Sequence, residues 1–143
     1  MAGGDAALIK SIEDFEDHPE FAEQQVIDLG FKENDLMIGS TEGGETSWVI
    51  GSVWKSTELT KRKPYILYGN TDETLVKNVE RSRKFIESNK INKINCNVGY
   101  MALAGSTRMQ STTILMYAIG LALLGCDKLR EKRGEKVGWR EYA

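Results

Sequence analysis

Three short stretches hold residues whose types and spacing could do chemistry. In GSTRMQST, residues 105–112, Ser106, Thr107 and Arg108 stand at the entrance of an apolar run, ILMYAIGLALLGC. The free amides at a helix start, the positive end of its dipole and a guanidinium together suit an anion such as phosphate or carboxylate. A plain cap by Ser106 or Thr107, with Arg108 paired to a surface acid, fits the same residues. In TEGGETS, residues 41–47, Gly43 and Gly44 permit close approach of backbone amides to a ligand, and Thr46 and Ser47 offer a cap or hydroxyl donors. An ordinary strand-to-helix turn fits equally well. Glu42 and Glu45 put negative charge beside this loop, which suits sugar hydroxyls better than an anion. In IEDFED, residues 12–17, Glu13 and Glu16 lie three apart and share one helical face. Such a carboxylate can serve as a general base if a pocket raises its pKa, and is otherwise a solvated surface acid.

The elements that must position these stretches are legible. DAALIKSIEDFE, residues 5–16, places apolar residues at helical intervals. Pro19 suits the first turn of a second helix that stops at Gly30. Residues 35–40 predict a buried strand, 41–45 a tight glycine loop and 46–59 a helix packing Trp48 and Trp54. YILY, residues 65–68, predicts another strand with a turn at Gly69-Asn70. Thr71 then caps a helix rich in early acids and running to about residue 88. INKINCNVG predicts a last strand ended by Gly99, and residues 107–130 a final helix with Met109 and Met116 in the core. Strands alternating with helices imply a parallel sheet with helices on both faces, an α/β fold. Ligands of such sheets bind at the carboxyl ends of strands, which selects the loops STEGGETS, residues 40–47, and LAGSTRMQ, residues 103–110.

Composition narrows the function classes. The 143 residues, 41% hydrophobic, fit one domain with a real core. Net charge is −2, yet residues 1–60 carry 13 acids and 3 bases, and residues 61–143 carry 8 acids and 16 bases. The bases are scattered with few aromatics between them, so no nucleic-acid partner is expected. Cys96 and Cys126 lack metal spacing and His18 has no partner motif; no metal or cofactor is implied, and both thiols are expected to be buried. The longest apolar run, Ile114 to Cys126, spans 13 residues, short of the roughly 20 a membrane helix needs, and predicts a buried helix. No signal peptide is read at residues 1–17, and a cytoplasmic location follows.

In order, MAGG-helix-IEDFED, LGFKENDLMIGSTEGGETSWVIGSVWKS and VGYMALAGSTRMQSTT resemble the N-acetylmuramic acid 6-phosphate etherases and the glucokinase regulatory protein, both of the SIS (sugar isomerase) domain superfamily. The resemblance runs from Met1 to about Leu124. AGSTRMQ is close to the family's G-S-[ST]-R-M-K, and the acidic hexad to V-E-G-A-E-D. It implies a three-layer α/β/α sandwich on a flavodoxin-like parallel sheet, with a phosphorylated sugar or amino sugar as ligand. Glu16 matches the base that removes the proton beside the sugar carbonyl carbon during lactate elimination. TEGGETS matches the phosphosugar loop A-A-S-G-R-T-P and so assigns Glu42, Gly43, Gly44, Glu45 and Thr46 to substrate binding. Gly43 there replaces a serine, Glu45 an arginine and Ser47 a proline. Ser106, Thr107 and Arg108 match another wall of the pocket, with Gln110 in place of a lysine.

The family's first strand, its glycine- and serine-rich phosphate loop and the helix carrying the catalytic acid find no match. The resemblance therefore implies an N-terminally truncated SIS domain over residues 1–130 and a charged tail over 131–143. An isolated chain of this kind is expected to bind phosphosugars without etherase turnover. The alternative is a sugar-phosphate-sensing regulatory module. By analogy the chain pairs as a homodimer.

Overall fold

Three parallel strands frame the molecule: β1 (Ile38–Ser40), β2 (Tyr65–Tyr68) and β3 (Asn92–Asn95), in that spatial order. Ile38, Gly39 and Ser40 stand opposite Tyr65, Ile66 and Leu67, and Tyr65 through Tyr68 stand opposite Asn92 through Asn95. The central strand is the most apolar, as expected of a parallel strand covered on both sides. In this computed structural model residues 4–10, 13–103, 106 and 109–134 are described. The fold is an α/β sandwich on a parallel sheet, the expected class.

The core lies on one sheet face, where Ile66 and Tyr68 meet Ile50 and Val53 of α2 (Ser47–Leu59), Leu75 of α3 (Asp72–Asn78) and Phe85 of α4 (Glu80–Glu87). Tyr68 and Phe85 pack edge to face, ring centroids 5.4 Å apart, a geometry the ring quadrupoles favour. Helix α1 (Pro19–Asp28) lies on α2 with Pro at its first turn. The crossing needs Gly51, because a Cβ there would stand 2.9 Å from the Pro19 carbonyl oxygen. The opposite sheet face is less covered: Leu67 is buried, but Ile38 and Ile94 beside it each keep 40% exposure.

Several elements differ from expectation. Residues 5–16 do not form one α-helix; they give short 3₁₀ turns at Gly4–Leu8 and Glu13–Asp17. Most helical stability comes from packing an apolar face, and here Leu8 and Ile9 find no partner among the described residues, Ile9 being 93% exposed. Strand β1 starts only at Ile38, because Asp35 closes a turn, its amide donating to Lys32 O (3.0 Å) and its carboxylate accepting from Lys32 N (2.7 Å). The helix expected over 71–88 breaks at Val79, whose extended backbone ends α3 and caps α4. A β-branched residue tolerates that conformation well.

The last helix, α5, spans Gln110–Lys132 and so begins three residues later than expected. Leu115 is buried, but Met109, Met116, Tyr117 and Leu121 are exposed, Met116 at 69%, so the apolar run is not the buried helix its composition predicts. Helix α5 meets the sheet at β2. Cys96 is half-buried and Cys126 exposed, against the expectation of two buried thiols.

Candidate functional site

The loop after β1 is built from its own hydroxyls. Thr41 Oγ1 accepts from Gly44 N (3.3 Å) and shares a hydrogen bond of 2.9 Å with Thr46 Oγ1. Neighbouring elements then take up its carbonyls: Asn70 Nδ2 donates to Gly43 O (2.9 Å), Ser82 Oγ to Gly44 O (2.7 Å) and Arg81 Nε to Glu45 O. The break at Val79 has its use here, because it turns α4 so that Arg81 and Ser82 reach a loop 36 and 38 residues away in sequence. Gly44 adopts φ +86°, and a Cβ there would come within 2.8 Å of Leu75 Cδ1. The loop is thus held from below, with its Glu42 end half-buried.

Glu42 meets the start of α5. Thr112 Oγ1 donates to Glu42 Oε1 at 2.6 Å, and the Glu42 carbonyl accepts from Gly69 N at 2.9 Å. With Asn70, Thr74, Asn97, Tyr100 and Ser111, Glu42 lines a cleft of about 650 Å³ at the carboxyl ends of the strands. Glu42 is the one charged residue among the described lining; the rest is hydroxyl, amide, glycine, phenol and thioether. Behind the cleft, Tyr68 Oη donates to Asp72 Oδ1 (2.8 Å), and burial first, then Asp72, pushes the phenol pKa well up. Asn95 Nδ2 binds the same Asp72 oxygen (2.8 Å) and Asn70 O (3.0 Å), joining the ends of β2 and β3. This arrangement can bind a polyhydroxylated ligand through many hydrogen bonds.

The residues singled out from sequence fall into separate groups. Glu42 is in the cleft, and Gly43 adjoins it through Asn70. Gly44 is buried beneath the loop, and Thr46 is the N-cap residue of α2 without a side-chain cap hydrogen bond. The Glu45 carboxylate flanks Gly43, 3.8 Å from where a Cβ would stand. Ser106 is half-buried and its amide donates to Leu103 O (3.1 Å); Thr107 and Arg108 lie outside the described residues. Glu16 is exposed on its 3₁₀ turn and is not part of the cleft lining. Its neighbour Phe15 instead stacks 5.5 Å from Phe21 and lines a different hollow of about 430 Å³ beside Trp48. Sequence reasoning missed Asn70, Thr74, Asn97 and Tyr100. The strand-end rule that selected loops 40–47 and 103–110 applies equally to the loops after β2 and β3 and could have found them. Among the described residues no group of His, Cys, Asp or Glu is arranged to hold a metal ion, and no helix is long and apolar enough to cross a membrane.

Comparison with known proteins agrees with this geometry. No family model matches the chain. The N-acetylmuramic acid 6-phosphate etherase of Lactococcus lactis subsp. cremoris is 31% identical over 133 residues, 90% of this chain and 41% of that protein. The enzyme of that name from Clostridioides difficile is 35% identical over 113 residues, 79% of this chain and 33% of that protein. N-acetylmuramic acid 6-phosphate etherase 2 of Enterococcus faecalis is 30% identical over 135 residues. These relatives form a SIS-domain family, and the parallel α/β sheet of this chain fits that relationship. The chain is a relative of the N-acetylmuramic acid 6-phosphate etherases and spans about two fifths of the length of the Lactococcus lactis protein.

Proposed function

We propose that the chain binds a phosphorylated amino sugar in the cleft between Glu42, Asn70, Asn97 and the first turn of α5. The observation that carries this reading is the convergence of all three strand-end loops and α5 on one cleft of about 650 Å³ that carries a carboxylate, amides and hydroxyls. In this reading Ser106, Thr107 and Arg108 hold the phosphate at the mouth of α5, where amides and guanidinium favour an anion. Glu42 and the cleft amides take the sugar hydroxyls, and Gly43, Gly44, Glu45 and Thr46 shape the loop that aims Glu42. The names of the relatives support the ligand class. Titration calorimetry of the 143-residue chain with amino-sugar 6-phosphates tests it. Saturable binding that Arg108→Ala weakens about tenfold or more, the loss of a charge-assisted phosphate contact, is expected. No saturable heat at millimolar ligand would sink the reading.

Lactate elimination is a finer claim, in which Glu16 acts as base. The placement of Glu16 outside the cleft lining favours binding without turnover by this chain alone, which also suits a sensing module. Turnover would then need groups that this SIS unit, read over residues 1–130, receives from another segment or chain. Release of D-lactate by purified chain 1–143, abolished in Glu16→Gln, would contradict that. The exposed apolar row of α5, with Met116, Leu121 and Leu124, supports a homodimer, which light scattering of the purified chain tests. Two free thiols fit a cytoplasmic setting.

A further inference from the structure

Bases that lie apart in the sequence gather at the amino end of the sheet, away from the cleft. Lys61, Arg62, Lys63 and Lys90, with Thr57 and Thr60, line a hollow of about 320 Å³ between the end of α2 and the starts of β2 and β3. The parallel register sets two of these cations side by side: Tyr65 stands opposite Asn92, and Lys63 and Lys90 each come two residues before. The Asn92 amide donates to Pro64 O (2.8 Å) and its Nδ2 to Lys63 O (3.3 Å), which fixes that placement. Arg62 is aimed by a second set of bonds. Its Nε donates to Asn34 O (2.7 Å) and its amide to Thr60 Oγ1 (3.0 Å), and the Thr60 hydroxyl is itself held by Glu33 O (2.9 Å) and Asp35 O (2.7 Å). The guanidinium is thus gripped by one edge and keeps its terminal amino groups for another partner.

Acids offset only part of this charge. Glu33 pairs with Lys61 (2.8 Å), and Glu58, which feels Lys90, is already paired with Lys55 (2.7 Å). Arg62, Lys63 and Lys90 form no ion pair among the described residues. Cations crowded at one hollow repel each other, and a bound anion removes that cost. We infer that the hollow is a second anion site, which takes a diphosphate group, free or carried on a nucleoside. Arg62 presents a planar fork suited to one phosphate, and Lys63 with Lys90 a pair of point charges suited to the next. A lone phosphate meets only one of these centres. The hollow shares no residue with the cleft lining, so the site stands apart from the phosphosugar reading.

The test is calorimetric titration of the full 143-residue chain with inorganic pyrophosphate, adenosine diphosphate and inorganic phosphate. At least one diphosphate is expected to bind about tenfold or more tighter than phosphate, and to weaken as salt rises. The tighter of the two tells whether the group is taken free or on a nucleoside. Lys63→Ala with Lys90→Ala should weaken that binding about tenfold or more, with unchanged circular dichroism. Arg62→Lys, which keeps the charge and loses the fork, should weaken it about threefold or more. Lys77→Ala with Lys128→Ala removes the same charge from exposed helix positions elsewhere and should alter binding within about twofold. Arg108→Ala, directed at the cleft, should leave it unchanged. Equal loss in the two double variants, loss in Arg108→Ala, or no diphosphate bound more tightly than phosphate would overturn the second site and leave the phosphosugar reading standing.

Discussion

Replacing Gly44 by alanine tests whether the loop geometry depends on that residue in the way the contacts imply. Gly44 sits at φ +86°, where an L side chain costs about 1–2 kcal/mol. The added methyl would also stand 2.8 Å from Leu75 Cδ1 and 3.2 Å from Tyr68 Cβ, both in fully buried side chains. Forcing a methyl into such a core costs a further 1–3 kcal/mol or so. The total, about 2–5 kcal/mol, is a large part of the 5–15 kcal/mol typical of a domain. Gly30 is the internal control: its φ is +69°, but a Cβ there meets nothing within 4 Å. Gly30→Ala should therefore lose only the backbone cost, about 1–2 kcal/mol. Urea unfolding followed by circular dichroism gives both values, and their difference isolates the clash with Leu75 and Tyr68. If the two variants agree within about 0.5 kcal/mol, the ordinary scatter of surface substitutions, the packing argument for the loop is wrong.

Two further predictions follow from the same framework. Ser82→Ala removes the buried donor to Gly44 O and should cost about 1–3 kcal/mol, because the carbonyl is left without its partner. A loss within the surface scatter would show that this bond does not hold the loop. Tyr68 keeps its proton in the folded state to a pH above its ordinary value of 10.0, through burial and then Asp72. Its contribution is present below that value and is lost as pH rises from there through the folded pKa. The urea midpoint of the parent chain should accordingly fall more steeply above about pH 10 than that of Tyr68→Phe, and parallel decline would contradict it.

Much of this fold could be read from local chemistry. The strand YILY, the Thr46 start of α2 and the Thr71 cap, whose side chain accepts from Thr74 N, are decided within a few residues, and they sit where the pattern put them. What could not be read depends on distant partners. The break at Val79 follows from tertiary contacts, above all the hydrogen bond from Ser82 to a glycine carbonyl 38 residues away. The helical intervals of residues 5–16 and the apolar run 114–126 pointed to packed helices, but Ile9 and Met116 are exposed and have nothing among the described residues to pack on. The same division holds for the site. Glu42 was legible beside its glycines. Asn97 and Tyr100 owe their place to the register that sets β3 beside β2, which carries the β3–α5 loop to the cleft.

The most direct test of the central claim is amide mapping by nuclear magnetic resonance while the labelled 143-residue chain is titrated with glucosamine 6-phosphate. Saturable shifts should cluster at Glu42, Asn70, Thr74, Asn97, Tyr100 and Ser111. Absence of saturable shifts, or shifts gathered instead around Phe15, Phe21 and Trp48, would contradict a phosphosugar cleft at the strand ends.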